Sequence, residues 1–116
     1  MTGEPLSVVV ASRALDGLTM RMAALASSMA NINTSQYRPI DVNFESALRA
    51  ASAQGPDAVE RLEFRFSAGP VFDEHDDRRI DLLIADASRT AGRFAAVADL
   101  LGRRMALHEA AVGGQR

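Results

Sequence analysis

Leucine, methionine and isoleucine recur along the first third of the chain at alternating steps of three and four: Leu15, Leu18, Met22, Leu25, Met29 and Ile32. A repeat averaging 3.5 residues puts one narrow apolar stripe on a helix, and only a partner can bury such a stripe. Extended backwards through Ala11 and Val8, it predicts a helix over residues 6–33, with Pro5 close to its first position, where a missing N–H costs nothing. That helix would be about 40 Å long at 1.5 Å per residue. The last third repeats the pattern in Ile84, Ala87, Ala91, Phe94, Ala98, Leu101, Met105, His108 and Val112. It predicts a second helix over residues 80–112, about 50 Å long. Leu83, Val97, Leu100 and Leu107 add apolar surface off that stripe, as in a helix with several neighbours. The expected fold is mainly α: two long terminal helices pairing as an antiparallel or assembly-type coiled coil.

Residues 34–79 read as a short irregular middle. Asn31, Asn33, Thr34 and Ser35 compete with helical hydrogen bonding, so the first helix should stop there. Tyr37-Arg38-Pro39 favours extended backbone. Asp41 is a candidate N-cap for a short helix containing Phe44, Ala47, Leu48 and Ala51, which Gly55-Pro56 ends. Leu62, Phe64 and Phe66 alternate with Glu63 and Arg65, the period-two pattern of a strand. With a turn at Ser67–Pro70 and a return through Val71-Phe72, they predict a small β-hairpin. A lone hairpin is marginal in water and should lean on a helix or a neighbouring subunit. All of this belongs to one domain, residues 1–116.

Inside the first helix, Val10, Ala14, Gly17, Ala24 and Ser28 form a second line of mostly small residues beside the heptad stripe. It reads either as a weakly amphipathic surface or as a face on which another helix comes close. Gly17 lowers local helix stability by roughly 1 kcal/mol relative to Ala.

Composition fits thin helical seams better than a thick core. Hydrophobic residues make up 47% of the chain, but 21 are Ala, with five Phe, one Tyr and no Trp. A formal net charge of −2 projects no strong field toward nucleic acid or anionic lipid. All 13 basic residues are Arg, for which genome base composition is a sufficient reason. The absence of cysteine excludes disulfides, thiolate metal sites and thiol catalysis. No apolar run is long enough to span a bilayer, and Leu6–Ala11 makes a poor secretory signal, so export would proceed without a cleaved one.

Chemistry-bearing residues are few. Asp73-Glu74-His75-Asp76-Asp77 could ligate a hard metal ion, yet consecutive residues cannot all face one ion, and acids ahead of a helix already favour its dipole. His108 lies on the heptad stripe without an acidic partner at ligand spacing. Arg89, Arg93, Arg103 and Arg104 make one helix side basic, but no aromatic platform accompanies them, so a solvated face is expected rather than a phosphate track. No nucleophile elbow, phosphate loop or zinc spacing occurs, and neither enzyme activity nor a cofactor is expected.

Residues 15–48 resemble the N-terminal region of bacterial flagellar basal-body rod proteins, most closely the FlgB type. The resemblance rests on Ala30-Asn31, Thr34 and Tyr37, which close the first helix, and on the following Arg38-Pro39-Ile40-Asp41-Val42-Asn43-Phe44-Glu45-Ser46-Ala47-Leu48. Ile80-Asp81-Leu82 and the helix through Phe94, Leu100-Leu101 and Val112-Gly113-Gly114 are similar to the family's C-terminal helix. The chain departs from the pattern at Ser35-Gln36, where the family usually has Pro-Gly, and at Ser28, where it has Asn.

The resemblance implies a structural subunit of the proximal rod in the periplasmic space, passed through the flagellar type III export apparatus without signal cleavage. Its implied partners are further copies of itself and neighbouring rod and ring proteins, with no nucleic acid, no cofactor and no membrane insertion. Its implied interface is the two heptads: Leu15, Leu18, Met22, Leu25, Met29 and Ile32 with Ile84, Phe94, Leu101, Met105 and Val112. Three rivals stay open: a cytoplasmic helical-hairpin dimer, such as a regulator or export chaperone; a metal-dependent or otherwise catalytic domain centred on His75; and a different rod protein of the same axial family.

Overall fold

The computed structural model describes residues 4–73 and 75–114, drawn out to 64 × 24 × 17 Å. Helix α1 spans Leu6–Ala30 and helix α4 spans Arg79–Gly113. Between them come strand β1 (Ile40–Asp41), helices α2 (Glu45–Ser52) and α3 (Pro56–Arg61), and strand β2 (Ser67–Ala68). Residues 4–8 of the chain meet 105–109, and residues 21–25 meet 86–93, so α1 and α4 run antiparallel along their length. The expected architecture of two long paired helices with a small two-stranded sheet in the middle is the one observed.

Two of the four helix starts, those of α1 and α3, follow from local chemistry. Pro5 sits in extended backbone just before α1, and its carbonyl accepts from the Val8 and Val9 N–H groups at 3.0 and 3.2 Å. Gly55, at φ +108°, turns the chain between α2 and α3, a conformation glycine adopts without steric cost. Pro56 then opens α3, a one-and-a-half-turn helix where the sequence suggested only a break.

Two local expectations are corrected. Asp41 does not cap α2: it lies exposed in β1, and buried Phe44 occupies the N-cap position without a side-chain cap. The sheet is also not a local hairpin. β1 pairs antiparallel with β2 in the register Ile40↔Ala68 and Asp41↔Ser67, so α2 and α3 lie inside the connection. Leu62–Phe66 forms no ladder, and its alternation sets sidedness only in part: Leu62 and Phe64 pack on the core, Glu63 and Arg65 face solvent, and Phe66, expected on the core side, is exposed.

The core is small and lies between α1 and the middle segment. Val9 and Leu18 of α1 meet Val42, Phe44, Leu48, Ala51 and Val59, the last fully buried. Burying a side chain the size of Leu18 or Phe44 contributes roughly 1.5–3 kcal/mol. The small-residue line of α1 faces this core. Gly17 and Ser28 are buried, and Val10, Ala14 and Ala24 pack against the cluster. Short side chains are what let the middle segment reach the helix so closely.

Candidate assembly interface

Three polar clamps hold the middle segment on α1, and they leave the opposite side of the helix pair bare. Arg21 donates from Nε and Nη2 to the Val42 carbonyl at 3.2 and 2.7 Å, and to both Glu45 carboxylate oxygens at 2.8 and 2.6 Å. Its guanidinium also lies 4.8 Å from the Phe44 ring centre. Arg21 therefore holds the Glu45 carboxyl below its ordinary pKa, chiefly through that hydrogen bond. Arg13 makes the second clamp, covering the Phe64 ring at 4.5 Å, donating to the Leu62 carbonyl and pairing with Asp16 at 2.8 Å. Sequence periodicity did not single out either arginine, because each looks like an ordinary solvated residue until its long-range partner is known.

The third clamp is the end of α1. Asn31 donates from its backbone and from Nδ2 to the Ser27 carbonyl at 3.0 and 2.8 Å. Thr34 returns its hydroxyl to Asn31 Oδ1 at 3.0 Å and its N–H to the Asn31 carbonyl at 2.9 Å. Tyr37 then reaches back, its hydroxyl 2.9 Å from Ser27 Oγ, while its ring meets Phe72 at 5.6 Å. These contacts reverse the chain through Gln36, whose φ of +61° is the one left-handed backbone among the described non-glycine residues. Four of the motif residues thus have a local structural job: Asn31, Thr34 and Tyr37 build the turn, and Phe44 anchors the segment after it. Ala30 is simply the exposed last residue of α1.

The predicted heptads divide between the inside and the outside of the helix pair. On α1, Leu18 is buried, Leu15, Leu25 and Met29 are partly buried, as is Ile32 just beyond the helix, and Met22 is 37% exposed. On α4, Leu101 is half-buried, but Ile84, Phe94, Met105 and Val112 are 38–52% exposed. The contact within the chain uses a line rotated by about one residue, through Leu83, Thr90 and Val97. Phe94 is therefore not a residue of a buried seam within one chain. Instead Thr19, Met22, Ala91 and Phe94 line a shallow apolar groove on the outer side of the pair. The sequence-predicted stripes are real, but much of their apolar surface faces away from the molecule's own core.

Most of the remaining candidates make ordinary structural contacts. Asp73 and Asp76 accept backbone N–H groups from His75 and Arg78, and that bond lowers the Asp76 pKa; Glu74 lies outside the described residues. Among the described residues no acid and histidine group is arranged to hold a metal ion. Arg89, Arg93 and Arg103 pair with Asp86, Glu45 and Asp99, the last two at 3.8 and 3.0 Å. His108 is exposed beside Pro5, Val8 and Met105. No described helix is long and apolar enough to cross a membrane.

Compared with family models, with curated proteins and with solved structures, the chain finds no match.

Proposed function

We propose that this chain is a structural subunit that is completed by assembly, and that the assembly is the rod of a bacterial flagellar basal body. The observation that carries the proposal is the outer face of the helix pair. There, Met22 of α1 and Ile84, Phe94, Met105 and Val112 of α4 leave apolar side chains 37–52% exposed. Exposed apolar area of this extent on a chain with a thin core marks an interaction surface. A helix pair presenting a common apolar stripe is suited to packing against further helices in a bundle.

The choice of a rod protein rests on the turn after α1. The resemblance places Pro-Gly where this chain has Ser35-Gln36, and Gln36 adopts the positive φ that a glycine would favour there. The Asn31–Thr34–Tyr37 contacts give that motif a physical purpose, since they fix the direction in which the chain leaves the helix. In this reading no chemical step occurs. Torque passes between copies, and to neighbouring rod and ring proteins, through lengthwise helix contacts, after delivery by the flagellar type III export apparatus.

Mass spectrometry of purified hook–basal bodies from the source cell tests the proposal. The chain should be present in stoichiometric amount. Its absence from intact basal bodies would overturn the rod reading. The same apolar face also fits a helical-hairpin dimer, for which sedimentation of the purified protein should show a discrete, cooperative two-chain species in dilute solution.

A further inference from the structure

The two ends of this elongated molecule carry surfaces of opposite character. Where α4 begins, Ile40, Val71 and Leu82 line an apolar groove and are 49, 42 and 53% exposed. Asp41, Asp73, Asp76 and Asp86 stand around it, against a single arginine, Arg79. Asp76 and Asp86 are engaged by Arg78 and Arg89. Asp41 and Asp73 have no cationic partner among the described residues, so the rim keeps negative charge to offer.

At the far end, every residue of the chain from Gly102 to Gly114 is exposed. Leu100 and Leu107 are 60 and 65% exposed, more than any other large apolar residue described. Steps of four and three put Leu100, Arg104 and Leu107 on one helix face. Arg104 has no charged partner among the described residues. The stripe therefore offers two leucines flanking Arg104, where the groove offers apolar walls and two carboxylates, Asp41 and Asp73, that lack a cationic partner among the described residues.

One helix carries both surfaces, with Leu82 and Leu107 about 37 Å apart at 1.5 Å per residue. A single copy cannot close that contact on itself. We infer that the Leu100–Arg104–Leu107 stripe of one copy docks in the aspartate-rimmed groove of the next, head to tail. Burial of the leucines supplies attraction without direction, and the arginine facing Asp41 and Asp73 sets orientation and register. Because the two patches differ, the contact is heterologous and repeats into an open chain instead of closing as a symmetric pair. The inference rests on the reading of this protein as a self-assembling subunit, though not on the flagellum as its location.

The lack of cysteine makes a clean test possible. Leu82→Cys and Leu107→Cys are prepared as separate full-length variants, both at exposed positions, with circular dichroism confirming unchanged helix content. After mild oxidation, on a non-reducing denaturing gel, each variant alone should run as a single unlinked chain, a mixture should give a disulfide-linked dimer, and the double variant should give a ladder of oligomers. Adding Arg104→Glu to the Leu107→Cys variant should slow cross-linking in the mixture at least tenfold. No cross-link in the mixture overturns the inference, as does either variant linking to itself as fast as the mixture does. An unchanged rate with Arg104→Glu overturns the charge-directed docking. Absence from basal bodies with the mixed cross-link intact would sink the rod reading alone; the reverse pair of results would sink this contact alone.

Discussion

Phe44 rests its ring against the bare backbone of Gly17, where an added Cβ would lie 2.5 Å from the ring carbon Cγ. That contact joins the first residue of the α2 turn to the middle of α1 and places Phe44, Phe64 and Leu18 in one core. A glycine that looks like a weak point in a helix is the position that lets the middle segment dock.

Gly17→Ala separates these two views. Helix propensity alone would stabilise the protein by roughly 1 kcal/mol. Overpacking against a buried ring costs about 1–3 kcal/mol, because Phe44 is held between α1 and Phe64. We expect a lower thermal midpoint for Gly17→Ala, by differential scanning calorimetry. A higher midpoint would mean that Phe44 moves aside freely and does not anchor the segment.

Gln36→Gly should act in the opposite direction. A non-glycine residue in left-handed backbone carries strain on the order of 1 kcal/mol or more, and glycine removes it while adding some freedom to the unfolded chain. A net gain of about 1 kcal/mol is expected in urea denaturation, with unchanged slope. Gln36→Val should lose stability at the same site, since a β-branched residue tolerates positive φ poorly.

The Arg21–Glu45 clamp predicts an acid sensitivity with a definite sign. The folded-state pKa of Glu45 lies below its ordinary value of 4.5, because Arg21 bonds the carboxylate. The unfolded chain therefore binds this proton more readily. The clamp contributes its full stability above pH 4.5 and loses it as pH falls through the lower folded value. Glu45→Gln should flatten the stability curve in that acid range and leave its shape above pH 6 unchanged. An acid limb as steep as in the parent would show that Glu45 has no part in it. The carboxylate is close to half exposed, so the effect should be modest.

Leu18 and Phe94 belong to the predicted stripes of α1 and α4, yet they should fail in different ways. Leu18 is 3% exposed in the core, and Leu18→Ala should cost about 2–5 kcal/mol of stability. Phe94 is 38% exposed on the outer face. Phe94→Asp should keep the helical circular dichroism and melting behaviour of the parent while abolishing incorporation into its assembly, read out as loss of motility at parental expression. Loss of fold in Phe94→Asp would place that side chain in the core instead.

Periodicity made the long elements legible. Repeats of three and four specify helices through the fixed 100° turn per residue, so α1 and α4 appear within a few residues of their expected bounds. The end of α1 was equally plain, since the Asn31 side chain bonds to the Ser27 backbone carbonyl and the Thr34 hydroxyl bonds to Asn31 Oδ1. The sheet was not legible. Ile40-Asp41 and Ser67-Ala68 are too short to show a pattern, and their pairing depends on α2 and α3 folding between them. For the same reason Asp41 reads as a cap in sequence and is an exposed strand residue in space.

The pair of long helices, their apolar stripes and the sharp turn after the first follow from the order of residues alone. Those are properties of local backbone geometry and side-chain type. Only the tertiary structure decided which side of each helix the chain keeps for itself. The small residues of α1 accept the middle segment because backbone and ring can approach there, and Arg21 and Arg13 lock it in place across long sequence distances. Once that face is occupied, Met22, Ile84, Phe94 and Met105 are turned outward. A helical repeat specifies that a stripe wants a partner; packing decides whether that partner lies within the same molecule.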